Sequence, residues 1–501
     1  MQISVVSLRK VRRYHRNSLL ALVLKDFALV QSHIPSTLSD AGLASVLGRV
    51  LPLCDKEEAP DLFAFIGPEM LPEHLAIFVP SRMRNIPEDE AQRLIGARVV
   101  KYARDLGVQR AYVTAMPGLS HDVYLRVAEG AVLGGYSFTR YKRTVEQSGV
   151  NVSLLCDDAD YSLLRKKLVD VLVVAEHQNR IRDLVNETPT ECGPRRLVEA
   201  ARRLGQAVGL EVEILGPRQL ERNGYTGVLA VGKGADEPPA MMILRHPGAR
   251  KKSGSRFALV GKAVTFDTGG YCLKPGKDMW EMKGDMAGGA AVLGAMAALA
   301  QLGVGKEIVG IIPCAKNLVS RTAYLPGDVI RTKIGKTVHV TNTDAEGRLL
   351  LADALIRAGE ENASVIVDVA TLTGSVVRAL GAAVAGVMGN DSQLVRAIMS
   401  AGAAVGEAYW ELPLVAEYKE QLKSDVADLD NVGKSPNAGA IVGGLFLQEF
   451  VPEGTKWAHL DIAGPFLVEK PWRYYGPGAT GFGVRTLIEF ATRYVGEFLE
   501  G

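Results

Sequence analysis

Four carboxylates and three cations crowd into a small part of this 501-residue chain. Lys262, Asp267, Lys274, Asp285, Asp344, Glu346 and Arg348 fall within 87 residues, in glycine-rich or strand-end segments amid otherwise apolar sequence. Lys262 and Asp267 belong to V-G-K-A-V-T-F-D-T-G-G, just past an apolar run. Lys274-Pro275 follows, then E-M-K-G-D-M with Asp285, and Thr341–Leu349 reads T-N-T-D-A-E-G-R-L. Asp344, Glu346 and Arg348 are spaced by two, so in an extended segment their side chains share one side. Ten glycines stand among the 45 positions from Gly261 to Gly305, where a usual ~7% gives about three. That density signals close backbone approach or unusual φ/ψ.

Each residue alone has a structural explanation. Asp285 can serve the start of the Ala-rich stretch behind it, and Asp344 and Glu346 the dipole of a helix beginning near Gly347. Lys262 and Lys274 can be solvated lysines. Asp353, on the apolar helix Leu349–Ile356, reads as structural. Taken together these explanations weaken, because a buried acid without a partner costs several kcal/mol. Two divalent ions about 3.5–4 Å apart would satisfy four carboxylates and form a hydrolytic centre. No histidine belongs to these motifs, and nothing pairs with the nearest, His339, at ligand spacing. The donor set is therefore oxygen-rich and admits manganese or magnesium as readily as zinc. Asp267-Thr268-Gly269 also has the form of an aspartic-protease loop, but that chemistry needs a second, paired aspartate, and the chain has no second D-T-G.

The octapeptide N-T-D-A-E-G-R-L at 342–349 resembles the signature of the leucyl aminopeptidase (cytosol aminopeptidase) family. The segments V-G-K-x-x-T-F-D-x-G-G, K-P, E-M-K-x-D-M, A-T-L-T-G and D-I-A-G match that family in the same order. The likeness covers roughly residues 155–501 and is faint over the first 150. By this resemblance Lys262, Asp267, Asp285, Asp344 and Glu346 are metal ligands, with Asp267 and Glu346 bridging two ions. Lys274 and Arg348 match the non-ligand catalytic positions, Lys274 stabilising the oxyanion and contacting substrate. Arg348 would seat a bicarbonate as general base. Met282, Thr371, Leu372, Gly374, Ala463 and Phe466 would line the substrate cleft.

The resemblance implies two divalent metal ions per subunit, zinc or manganese with cobalt or magnesium also admitted. It implies removal of an N-terminal leucine or other apolar residue from peptides with a free amine, by hydroxide held between the ions. It further implies a cytoplasmic homohexamer. The alternative is a catalytically decayed binding protein on the same fold, with an aspartic-type protease behind it. Several positions depart from the family pattern: Tyr271-Cys272, Gly284, Lys316, Arg321 and the segment N-E-T-P-T-E-C-G-P at 186–194.

The elements around these motifs indicate an α/β chain of two domains, since single cores stop growing near ~250–300 residues. Residues 1–150 form a smaller N-terminal α/β domain, expected to serve oligomerisation or regulation. Its strands are Ile3–Leu8, Leu19–Val30, Leu62–Ile66, Leu75–Val79 and Ala111–Ala115, with helices Glu88–Leu106 and Ser120–Gly134. Residues 155–501 form the larger catalytic domain, a mixed sheet covered by helices. It opens on a long helix, Asp160–Val185, and carries apolar strands such as Phe257–Val260, Ile308–Pro313, Val365–Val369 and Ala458–Ile462.

Formal charge is +2, which does not favour nucleic acid or an anionic membrane. Five cysteines without a C-x-x-C pair fit a reducing compartment. The charge-free stretch 286–305 is rich in Ala and Gly and reads as a buried helix, not a membrane span. The basic residues Arg9, Lys10, Arg12, Arg13 and Arg16 leave an organelle transit segment as a lesser option to the cytoplasm.

Overall fold

Strands and helices alternate into two separate sheets in the computed structural model, which describes residues 1–7, 15, 17–25, 61–65, 73–115, 119–143, 149–248, 256–277 and 279–499. The basic residues at 9–13 and 16 lie outside the described residues. Two compact units result, one of Met1–Glu176 with Lys470–Gly476, the other of His177–Glu469 with Pro477–Gly501.

The first unit contains β1 (Gln2–Ser7), β2 (Leu19–Val23), β3 (Asp61–Phe65), β4 (His74–Phe78), α1 (Glu88–Asp105), β5 (Arg110–Ala115), α2 (Asp122–Gly134) and β6 (Asn151–Cys156). Its sheet runs β1-β6-β5-β2-β4-β3, parallel throughout except for the antiparallel β3–β4 pair. The expected strand Leu19–Val30 ends at Val23, and residues 26–30 lie outside the description. Helix α3 (Asp158–Asn186) follows the apolar periodicity and stops before Pro189, where proline forbids continuation.

The second unit is built on β7 (Glu211–Leu215), β8 (Ala240–His246), β9 (Arg256–Gly261), β10 (Ala263–Asp267), α4 (Ala287–Gln301), β11 (Ile308–Asn317), α5 (Gly347–Glu360), β12 (Ala363–Ala370), α6 (Gly374–Leu380), β13 (Val384–Gly389), β14 (Ala408–Glu411), α7 (Gly439–Gln448) and β15 (Lys456–Asp461). The sheet order is β14-β13-β15-β12-β9-β11-β8-β7, with β10 pairing β11. Strands β15, β12, β9 and β11 are mutually parallel, while β8 and β13 run antiparallel to their central neighbours. The sheet is mixed, as expected, and its apolar central strands suit a sheet covered on both faces.

Helix α4 is the charge-free stretch, buried from Ala287 to Leu299. It packs against β9, β11 and β12 so closely that a Cβ at Gly288 would lie 2.1 Å from the Val369 carbonyl oxygen. Small residues permit that approach, which explains the glycine density in part. Helix α5 packs on the same strands through Leu349, Leu350, Ala352, Leu355 and Ile356. Asp353 has the structural role expected of it: fully buried, its Oδ2 accepts from Val228 N at 2.9 Å. Among the described residues no helix is long and apolar enough to cross a membrane.

Candidate metal centre

The rim of the sheet collects the polar residues. Lys262 directly follows β9, Asp267 ends β10, Asn317 ends β11, Thr371 directly follows β12, and Asp461 ends β15. In parallel sheets the carboxyl ends of the strands form the natural ligand crevice, because side chains there escape the helices covering the faces.

Two ion-pair groups meet at this rim. Lys262 Nζ lies 2.8 Å from Asp285 Oδ1 and 2.9 Å from Glu346 Oε1. It also donates to the Thr371 carbonyl at 2.9 Å, and Thr371 Oγ1 donates to Asp285 Oδ1 at 2.7 Å. Lys274 Nζ lies 2.9 Å from Asp267 Oδ2 and contacts Asp344 Oδ1. The groups join at Asp267, Asp344 and Glu346, whose ligand oxygens lie within 4.8 Å of one another. All five expected metal ligands and Lys274 thus come together.

Burial shapes their charge states. It pushes Asp267 well above the carboxylate range, with Glu346 and Asp285 adding to the shift and Lys274 and Lys262 opposing it. Asp285 is pushed up to about 6 by burial against the pull of Lys262, and burial raises Asp344 as well. Glu346 goes the other way: burial works against its charge, but Lys262 and Lys274 outweigh it. Burial also opposes the charge on both lysines, yet the acids around them raise them above the ordinary lysine range.

The segment around Asp344 is not extended. Asp344 N donates to Asn342 Oδ1 at 2.8 Å, closing a turn, and Glu346 already has helical φ/ψ before Gly347 opens α5. An asparagine side chain that imitates the backbone acceptor favours a turn over a strand here. Asp344 and Glu346 consequently reach the centre from a turn and a helix start. Arg348, on the first turn of α5, is buried separately: its Nη1 donates to the Asn431 carbonyl at 2.7 Å, and its guanidinium lies 5.7 Å from the Phe446 ring centroid. Burial lowers it to about 10 despite Glu346 and Asp461.

The expected cleft residues divide among several places. Met282 sits half-buried in the helical turn Met279–Gly284, whose last residue meets Phe466. Thr371 touches Lys262 and Asp285 as described, whereas Leu372 and Arg348 converge on Gly443 of α7. Ala463 N donates to Asp461 Oδ1 at 3.3 Å, and Gly374 is exposed at the start of α6.

Three residues escaped the reading of the sequence. Asn317 Nδ2 donates to Asp267 Oδ1 at 2.8 Å and to the Thr343 carbonyl at 2.9 Å, fixing one acid against the turn that carries another. Asn431 positions the Arg348 guanidinium, and Asp461 binds the segment after β12. Asp461 opens the D-I-A-G segment but had no role assigned to it, and only a polar residue ending an apolar strand could have flagged Asn317. Its neighbour Lys316, one of the departures from the family pattern, turns away to Glu237 at 3.1 Å.

The donors suit divalent cations. Four carboxylates face two ammonium groups, and two buried oxygens, Asp285 Oδ2 and Glu346 Oε2, have no hydrogen-bond partner. Acids that burial and mutual repulsion hold towards protonation are the ones that added positive charge would ionise.

The chain is similar to proteins already known. The catalytic-domain model of the cytosol aminopeptidase family matches residues 179–488. A probable cytosol aminopeptidase of Geobacter sulfurreducens is 42% identical over 404 residues, 79% of this chain and 81% of that protein. Another, from Mycobacterium leprae, is 41% identical over 415 residues, 80% of this chain and 78% of that protein. Among solved structures, the bottromycin maturation enzyme BotP in complex with Mn superposes with a TM-score of 0.81 at 30% identity, covering 95% of this chain and 99% of that one.

Proposed function

Because this chain belongs to the cytosol aminopeptidase family, a family of metal-dependent aminopeptidases, we propose that it removes N-terminal leucine or another apolar residue from peptides with a free α-amine. One observation carries this reading: five ligand-type side chains converge at the ends of parallel strands, with two buried carboxylate oxygens lacking partners. Lys262 and Asp285 would hold one ion and Asp344 the other, with Asp267 and Glu346 between them. When bound, two such ions polarise the scissile carbonyl and make water a nucleophile at neutral pH. Lys262 would have to be neutral to hold an ion, and adjacent cations would lower its pKa. Manganese is supported by the manganese-bound bottromycin maturation enzyme, and zinc by the resemblance in the motifs.

The remaining roles belong to the chain. Lys274, about a fifth exposed, can donate to negative charge developing on the substrate carbonyl oxygen. Arg348 has a buried Nε without a partner and a planar fork, which suits bicarbonate, the base that would accept the proton of the attacking water. Met282, Leu372, Ala463 and Phe466 form a mainly apolar wall for the first side chain. The N-terminal unit serves assembly, as a homohexamer, or regulation, and the protein acts in the cytoplasm.

The rival readings draw less support. Asp267 of the D-T-G loop stands among three other acids and two lysines instead of facing a paired loop, and a decayed site would not need all seven charged positions. The test compares leucyl-p-nitroanilide with its N-acetyl form. Acetylation removes the amine lone pair and adds bulk, so turnover collapses in the proposed enzyme. Similar kcat/KM for both substrates overturns the exopeptidase reading.

A further inference from the structure

We infer that Asp461 is a positioning residue that sets the width of the pocket for the first side chain, by tying both of its walls to one carboxylate. This inference rests on the aminopeptidase reading above. Strands β12 and β15 pair in parallel up to Ala370 beside Asp461, and Ile462 N donates to the Ala370 carbonyl at 2.8 Å. Beyond this point the chains part: residues 371–373 lead into α6, and residues 463–466 turn back towards Gly284. These diverging segments carry Leu372 on one side and Ala463 and Phe466 on the other.

The Asp461 carboxylate spans the gap that backbone pairing leaves. Its Oδ1 accepts from Leu372 N at 3.0 Å, Thr373 N at 3.4 Å and Ala463 N at 3.3 Å, so one oxygen serves both walls. Its Oδ2 accepts from Thr373 Oγ1 at 2.7 Å, and that hydroxyl in turn accepts from Val376 N at 3.1 Å, capping α6. Asp461 is fully buried. A carboxylate offers only acceptors, and charge-assisted bonds to four donors are what make its burial tolerable.

Both ends of this arrangement are held. At the near end Thr371 is bonded to Lys262 and Asp285, so Leu372 lies between the metal-ligand candidates and Asp461. At the far end β15 is locked in register. His459, two residues before Asp461 and on the same side of the strand, bonds Asp368 Oδ1 through Nδ1 at 2.6 Å. Trp457 Nε1 donates to Asp368 Oδ2, also at 2.6 Å. With β15 fixed, the carboxylate dictates where the Leu372 backbone stands relative to Ala463. Freed from it, the walls can spread and lose their grip on side-chain shape, a discrimination worth roughly 10–200-fold per methylene in a tight apolar pocket.

The experiment uses the metal-loaded full chain and four proteins: wild type, Asp461→Asn, Thr373→Val and Thr373→Ser. For each, kcat and KM are measured on leucyl- and alanyl-p-nitroanilide, and bound metal by elemental analysis. Asp461→Asn and Thr373→Val lower the leucyl-to-alanyl ratio of kcat/KM by about tenfold with metal content unchanged. Thr373→Ser, which keeps the hydroxyl, preserves the ratio. Thr373→Val decides the matter if Asp461→Asn fails to fold. An unchanged ratio in metal-loaded Thr373→Val, an equal fall in Thr373→Ser, or loss of metal in Thr373→Val overturns the inference. Wild-type protein that cleaves neither substrate overturns the aminopeptidase reading and the inference with it. An active wild type with an unshifted Thr373→Val ratio sinks the inference alone.

Discussion

Replacing Gly284 with alanine perturbs the proposed pocket from behind. Gly284 ends the helical turn that precedes Asp285 and is buried. A methyl there would lie 2.4 Å from Phe466 Cε2 and 3.0 Å from Cδ2. Carbon atoms rest at ~3.5–4.0 Å, so the ring must withdraw by about 1 Å. The obstacle is the edge of a half-buried side chain, not backbone, and it can turn aside. The cost therefore falls near the lower end of the ~1–3 kcal/mol typical of overpacking. A loss of about 1 kcal/mol in a unit of this size lowers Tm by roughly 1–2 °C. Because Phe466 walls the proposed pocket, the displaced ring also changes the leucyl-to-alanyl ratio of kcat/KM by at least about threefold, a modest part of what apolar pockets discriminate. Scanning calorimetry with saturating manganese, together with kinetics on both p-nitroanilides, measures the two effects. An unchanged Tm together with an unchanged ratio refutes the argument that this glycine makes room for the ring. Gly284 is also one of the positions that depart from the pattern the sequence resembles, and a side chain there would meet Phe466.

Exhaustive chelation removes activity, and manganese, cobalt or zinc restores it; full activity with no metal detected by elemental analysis contradicts the two-ion centre. Asp344→Asn or Glu346→Gln loses metal and activity together, whereas Lys274→Ala or Arg348→Ala lowers kcat with metal retained; loss of metal in the latter pair as complete as in the former erases the division of roles. Away from the site, Glu361 accepts from Arg245 at 2.7 and 3.0 Å and from Arg357 at 2.5 Å. Burial opposes its ionisation, but these arginines outweigh it and hold the carboxyl below its ordinary value. Wild type is therefore more stable than Glu361→Gln by an amount that is full above the ordinary glutamate pKa of ~4.3 and shrinks as pH falls through the depressed folded-state value. Urea denaturation at a series of pH values checks this, and a difference independent of pH contradicts it.

The order of elements and the crowding of charged residues into a few motifs were legible in the sequence because both are local. Apolar periodicity marks α3, apolar runs mark β9, β11, β12 and β15, and unusual residues cluster at Lys262, Asp267, Asp285, Asp344 and Glu346 in recognisable motifs. The helix expected near Gly347 is there, but the spacing of Asp344, Glu346 and Arg348 puts them on one side only in an extended segment, and the Asn342 side chain closes a turn instead. Partnerships depended on tertiary structure alone. Lys262 meets both Asp285 and Glu346 because it leaves β9 at the rim where α4, just behind Asp285, and α5, just behind Glu346, both begin. Asn317 carries no mark in the sequence, since one polar residue ending an apolar strand is ordinary, and Asp461 opens the D-I-A-G segment without its partners being readable there. Their roles arise only when strand pairing sets Asn317 beside Asp267 and Asp461 beside Ala370, within reach of Leu372 N. Side-chain type and periodicity act over a few residues, whereas the positions of these groups are set by the register of strands up to a hundred residues apart.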